Sequence, residues 1–297
     1  MSPLKAALTL IRFPNLVFIV LTQALTYACL IRPTLTVPVL PLWGIALLCA
    51  STMLIAAAGY LINDYFDIGI DVVNKPERVT IEKVFRRRSI ILWHIGLNVS
   101  GWLMAALLCL RYGHLRYSLI QIACILLLLV YSTTLKRRLL WGNLSIAVLT
   151  ALTLLTTAVY EPAFSMFRNS EHALLFWTYA GFAFLITLIR EIVKDIEDIR
   201  GDAALGCRTI PLQWGTGAAK GIVYGLFSTL LLILASTLYR FGAERLPWAL
   251  LLGAGVALPC AWLMLETRRA RDAADFHRLS THIKWVTGIG IMSMALL

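Results

Sequence analysis

Apolar residues gather along this chain in long runs, separated by short polar stretches that hold most of the charge. By hydropathy the runs fall at 14 to 31, 39 to 63, 90 to 110, 117 to 133, 143 to 160, 172 to 192, 221 to 239, 247 to 265 and 283 to 297. Most approach the ~20 apolar residues a helix needs to cross a bilayer. The pattern therefore predicts an all-α, polytopic membrane protein of about nine transmembrane helices, the last of them short. Short loops join nearly every pair of runs and no Pro/Ser-rich linker intervenes, so residues 1–297 read as a single domain. Two connections depart from this, at about 64 to 89 and 193 to 219; both are long, polar and charged.

Composition agrees with the pattern and excludes a soluble globular protein: 59% of residues are hydrophobic and only 14% are charged. Lys5 and Arg12 ahead of the first run could suggest a signal peptide, but the run is long and no A-x-A-like cleavage site follows. It is read as the first transmembrane helix. The six cysteines are scattered without a C-x-x-C pair, which favours buried thiols over zinc or a disulfide framework. The net charge of +11 invites a nucleic-acid reading, but the cations are distributed by side. With a cytoplasmic N-terminus, all but Arg32, Arg111, Arg116, Arg168, Arg240 and Arg245 of the 27 Lys and Arg lie on the cytoplasmic side. That is the positive-inside bias of an inner-membrane protein, and no nucleic-acid partner is implied.

Acids are rarer than bases and are concentrated. Of the 16 Asp and Glu, five lie between Asn63 and Glu82 and five between Glu191 and Asp202. The first window, "NDYFDIGIDVVNKPERV", places Asp64, Asp67 and Asp71 at the end of an apolar run. The second, "REIVKDIEDIRGD", repeats the spacing with Asp195, Asp198 and Asp202. On a helix, offsets of 0, 3 and 7 fall within about 60° of arc, so each triplet is expected to form one carboxylate stripe. The shared context suggests two weakly related halves in parallel orientation around a shared cavity.

Carboxylates stacked on one helical face repel one another and call for a cationic partner. Calcium loops of the EF-hand type place ligands at alternate positions around a glycine turn, which this spacing does not. Magnesium takes one or two carboxylates, keeps waters and completes its shell with substrate phosphate oxygens, so a bound diphosphate is expected. Nearby cations and amides suit that ligand: Asn63, Asn74, Lys75 and Arg78 around the first motif, and Arg190, Lys194 and Arg208 around the second. A third segment, "YSTTLKRRLLWGN", adds Tyr131, Lys136, Arg137, Arg138 and Asn143. For Arg137 and Arg138 the orientation bias is an equally good explanation.

These motifs resemble those of the UbiA superfamily of intramembrane prenyltransferases. "NDYFDIGIDVVNKPERV" is similar to its N-D-x-x-D-x-x-x-D signature, "KDIEDIRGD" to its second aspartate motif, and "YSTTLKR" to its Tyr/Lys loop. The resemblance extends from "LIRFPNL" to the predicted ninth helix. It implies a nine-helix bundle around a central cavity open to the cytoplasmic side, with a lipid-facing tunnel for a polyprenyl tail. It also implies two Mg2+ ions bridging Asp64, Asp67, Asp71, Asp195, Asp198 and Asp202 through the substrate diphosphate. Lys75, Arg78, Lys136 and Lys194 would hold that diphosphate, with Asn63, Asn74 and Tyr131 beside them. The diphosphate leaves, and an acceptor nucleophile attacks C1 of the prenyl group.

The stretch "KDIEDIRGDAALGCRTIP" most resembles the branch that prenylates geranylgeranylglyceryl phosphate, a glycerol-phosphate ether lipid. Arg86, Arg87 and Arg88, or Arg208, are candidates to hold that acceptor's phosphate. An aromatic prenyltransferase of quinone biosynthesis shares every motif, and only its acceptor separates it. An ion-coupled transporter is the other alternative, although its charges are expected near mid-membrane and these lie at helix ends. The five histidines are separated singles and read as surface or interfacial residues. Glu197 is out of phase with the second stripe and is not expected to be a ligand. Gly221 and Gly225 form a small-x-x-x-small pattern that suggests helix packing. Trp141, Trp177, Trp248 and Trp285 read as interface anchors.

Overall fold

A computed structural model describes residues 3–74, 84–164, 170–204 and 206–297, with the side chains of residues 3 and 69–74 left aside. Among the described residues the fold is helical throughout, with no β-strand. Its helices are α1 (Pro3–Leu10), α2 (Phe13–Leu25), α3 (Leu42–Asn74), α4 (Arg87–Tyr112), α5 (Leu119–Thr133) and α6 (Trp141–Tyr160). The chain continues with α7 (Glu171–Glu197), α8 (Ile199–Ala204), α9 (Ile210–Phe241), α10 (Leu246–Leu252), α11 (Leu258–Arg269) and α12 (Ala273–Ser293).

Eight stretches among the described residues are long and apolar enough to cross a membrane, from Phe13–Thr34 to Leu246–Arg269. The ninth expected span falls on α12, which begins ten residues earlier than hydropathy suggested and carries Asp275, His277, Arg278 and Lys284. Helices also overrun their apolar runs at the polar ends. Helix α3 continues to Asn74, α7 to Glu197, and α9 starts at Ile210, bending at Gly215, whose φ of 84° suits glycine. Hydropathy marks only the part of a helix that lies in hydrocarbon.

The chain divides into two compact units: residues 1–24, 36–136 and 156–164 in the first, and 25–35, 137–155 and 165–297 in the second. In lipid, apolar surface alone does not drive helices together, so close contact and buried polar bonds must hold each unit. In the first unit α3 packs along α4 and α5. Gly101 allows the closest approach: a Cβ there would lie 2.8 Å from Ile55, and Ser51 Oγ donates to the Gly101 carbonyl at 2.7 Å. Buried Glu161, just past α6, accepts the backbone N–H groups of Val39 and Leu40 at 2.9 and 3.0 Å. In the second unit α7 packs on α9 and α12. There Trp248 Nε1 donates to Tyr179 Oη at 2.9 Å, and Tyr179 Oη pairs with Ser293 Oγ at 2.7 Å.

Two expectations are corrected here. Among the described residues a Cβ at Gly221 or Gly225 would meet nothing within 4 Å, so the close approaches belong to Gly101 and Gly290 instead. Trp248 is fully buried in the network with Tyr179 and is no interface anchor, because its indole N–H finds a partner inside the unit.

Candidate active site

The first aspartate motif behaves as its spacing predicts. Helix α3 runs without interruption through Asp64, Asp67 and Asp71, which places all three on one helical face. Arg12 Nη2 donates to Asp64 Oδ1 at 2.9 Å, and its guanidinium lies 4.9 Å from the centre of the Tyr60 ring. Lys136 Nζ forms an ion pair with Asp67 Oδ1, and both side chains are largely buried. Asn63 Nδ2 donates to the other Asp67 oxygen at 2.8 Å. Tyr131 stands near the end of α5, which packs against α3. Asp71 and Asn74 lie on α3 with side chains outside the described part, and Lys75 and Arg78 fall outside the described residues.

Arg12 is the residue that sequence reasoning missed, having been counted only as a topological charge. Its partner is 52 positions away, and no local pattern announces it. The backbone offers a signal in retrospect: Arg12 has φ 52° and Leu140, three residues before Asn143, has φ 61°. Left-handed backbone at non-glycine residues is uncommon and tends to mark sites where orientation matters.

The second motif departs from expectation. Helix α7 ends at Glu197, Asp198 caps it with φ −93° and ψ 11°, and Asp202 lies in the separate short helix α8. The interruption is narrow: the Asp198 N–H still donates to the Lys194 carbonyl at 2.9 Å, and the Asp202 N–H to the Asp198 carbonyl at 3.1 Å. The three acids are therefore not one uninterrupted helical stripe. Asn143 Nδ2, from the first turn of α6, donates to Asp195 Oδ2 at 2.8 Å. Lys194 and Arg190 both reach Glu191, at 3.5 and 3.1 Å. Glu197, out of phase as expected, pairs with His277 Nδ1 at 2.8 Å and accepts from Ser280 Oγ at 3.4 Å.

The acceptor candidates fall in both units. Arg86 precedes α4 and Arg87 and Arg88 open it, all exposed. The Arg208 backbone N–H donates to the Arg137 carbonyl at 2.9 Å, tying the segment after α8 to the turn before α6.

The donor set suits a hard divalent cation that brings its own ligands. Among the described residues no group of three or more His, Cys, Asp or Glu forms a closed cage. Magnesium does not need one, since it takes one or two carboxylates and draws the rest of its shell from water and phosphate. The buried Asn63 Oδ1, beside Asp64 and Asp67, has no hydrogen-bond partner among the described residues and would accept from a metal-bound water. In the first unit Asp64 and Asp67, and in the second Asp195, Asp198 and Asp202, are carboxylates of the kind such an ion takes.

The model of the UbiA prenyltransferase family matches residues 20–286. This chain belongs to the UbiA prenyltransferase family. It is 34% identical over 244 residues to the digeranylgeranylglyceryl phosphate synthase of Methanothermobacter thermautotrophicus, covering 80% of each chain. As a UbiA-family prenyltransferase it also shares its fold with solved relatives. A digeranylgeranylglyceryl phosphate synthase structure superimposes with a TM-score of 0.72 and 20% identity, over 99% of this chain and 98% of the other. A UbiA homologue from Archaeoglobus fulgidus bound to GPP and Mg2+ gives a TM-score of 0.67 and 14% identity, over 98% and 99%.

Proposed function

We propose that this UbiA-family prenyltransferase transfers a polyprenyl group, with Mg2+, from a prenyl diphosphate to the free hydroxyl of a glycerol-phosphate ether lipid such as geranylgeranylglyceryl phosphate. The observation that carries the acceptor is the 34% identity, over 80% of both chains, to a digeranylgeranylglyceryl phosphate synthase. The metal is supported by the carboxylate sets on α3 and at the end of α7, and by the Mg2+ bound with GPP in the Archaeoglobus fulgidus homologue.

In this reading the C1–O bond to diphosphate breaks, a C1–O ether bond to the acceptor forms, and the hydroxyl proton is released. Bound Mg2+ supplies Lewis-acid stabilisation of the leaving diphosphate. The chain's own cations add to it. Lys136, held on Asp67, and Lys194, with Lys75 and Arg78, grip phosphate oxygens as negative charge develops. Arg12 fixes the Asp64 carboxylate, and Asn143 fixes Asp195. Residues 1–297 are read as one catalytic domain that carries both aspartate motifs. The excess of Lys and Arg at the motif-bearing ends favours an inner-membrane protein with those ends and its N-terminus in the cytoplasm.

The test is release of diphosphate from geranylgeranyl diphosphate by purified protein, with and without Mg2+, across geranylgeranylglyceryl phosphate, 4-hydroxybenzoate and dihydroxynaphthoate. Mg2+-dependent release with the glycerol phosphate alone is the expected result. Release only with an aromatic acid would move the enzyme to quinone-type acceptors.

A further inference from the structure

The first unit carries an apolar groove whose lining includes none of the motif aspartates. It has a volume of about 320 Å³ and is lined only by apolar residues, among them Ala7 and Ile11 on one wall, Leu92, Trp93 and Gly96 on the other, and Leu61 from α3. Leu4, Ala7, Leu8 and Ile11 recur at i, i+3, i+4 and i+7, which makes one apolar face on α1 and the turn after it. That face is unsatisfied, since Leu4 is 71% and Leu8 38% exposed. On the opposite wall Leu92 is 68% exposed, and a Cβ at Gly96 would meet nothing within 4 Å, so glycine holds the space open.

The rim of the groove is cationic. Arg88 stands four residues before Leu92 and eight before Gly96, along the same row of α4. Arg86, Arg87, Arg88 and, on α1, Lys5 are all exposed. An apolar slot ending in basic residues complements a molecule with a hydrocarbon chain and an anionic head.

We propose that the groove holds one anionic phospholipid of the surrounding bilayer, one chain between α1 and α4 and the phosphate at Arg86, Arg87, Arg88 and Lys5, which leaves Arg208 as the candidate for the acceptor's phosphate. A bilayer lipid fits better than a substrate because the groove opens on a lipid-facing surface. Ile95 and Val99, next to it on α4, are 52% and 50% exposed. Asp64 and Asp67 lie about 60° and 120° around α3 from the groove-lining Leu61, and neither carboxylate lines the groove.

Native mass spectrometry of the full chain in detergent, titrated with phosphatidylglycerol or phosphatidylcholine, tests this. The wild type is expected to hold one phosphatidylglycerol and to bind phosphatidylcholine on the order of 10-fold more weakly or worse. Gly96→Phe fills the slot and is expected to abolish retention while keeping Mg2+-dependent diphosphate release; Gly96→Leu repeats the test should the larger side chain not fold. The triple variant R86Q/R87Q/R88Q is expected to bind the two lipids alike. Equal binding of both lipids by the wild type, or full retention by a folded Gly96 variant, would overturn the proposal. So would displacement of the bound lipid by geranylgeranyl diphosphate or geranylgeranylglyceryl phosphate, which would give the groove to a substrate. Because the readout is lipid retention, it stands apart from the acceptor assay.

Discussion

Asp64 and Asp67 sit on an unbroken helix and each faces a cation, Arg12 or Lys136, whereas Asp195, at the matching place in the second motif, faces the neutral amide of Asn143 just before its helix breaks. Two of the three cations in the second motif, Arg190 and Lys194, reach Glu191. Identical spacing has thus been given different electrostatic surroundings. An ion pair cancels much of a carboxylate's charge. An amide donor stabilises a carboxylate by roughly 1.5–3 kcal/mol and leaves that charge in place. The Asp195 end therefore relies more on an added cation, and the Asp67 end already holds one that must share the carboxylate with any metal.

The most severe way to break the comparison is to remove the central acid of each motif. Asp67→Ala and Asp198→Ala are each expected to lower Mg2+-dependent diphosphate release at least ~100-fold, with a folded, membrane-inserted protein by size exclusion and thermal unfolding. Full activity in either variant would mean that only one motif works.

Removing the holders separates the two motifs. Lys136→Met is expected to lower kcat by ~10–100-fold, since a cation on the leaving group is lost. The same change frees Asp67, so the Mg2+ concentration for half-maximal rate falls. Asn143→Ala is expected to cost about 1.5–3 kcal/mol of stability, read as a lower Tm, because a buried carboxylate loses its donor. No gain in apparent Mg2+ affinity accompanies it, as no cation has been removed. Matching shifts in Mg2+ dependence for the two variants would refute the distinction.

Much of this was legible in the sequence, for identifiable reasons. The all-helical fold follows from run length, and the first motif from a period that α3 keeps to its end. The Asp67–Lys136 pairing was not legible, since the resemblance gave Lys136 only as a holder of diphosphate and the two residues are 69 positions apart. The break at Asp198 was not legible: hydrogen bonds at i to i−4 persist on both sides, so one residue in an intermediate backbone conformation leaves no trace in propensity or period. Arg12 was hidden because a basic residue near the first helix already had a sufficient explanation in membrane orientation. Gly221 and Gly225 misled for the opposite reason, since small residues at four-residue spacing permit a close contact without requiring one.

The weakest expected effect concerns what holds the break itself. Glu197, the last residue of α7, is anchored by His277 and Ser280 from α12, and the first motif has no counterpart among the described bonds. His277 is 61% exposed, and exposed ion pairs typically contribute only about 0–1 kcal/mol. Asp198 is also held through its backbone by Lys194, so the cap does not depend on His277 alone. His277→Ala is accordingly expected to raise the half-maximal Mg2+ concentration by no more than ~5-fold and to leave Tm almost unchanged. A rise well beyond that, reversed by His277→Gln, would show that α12 sets the angle between Asp195 and Asp202. The difference between the motifs would then be imposed from outside the motif, by a helix some 75 residues further along the chain.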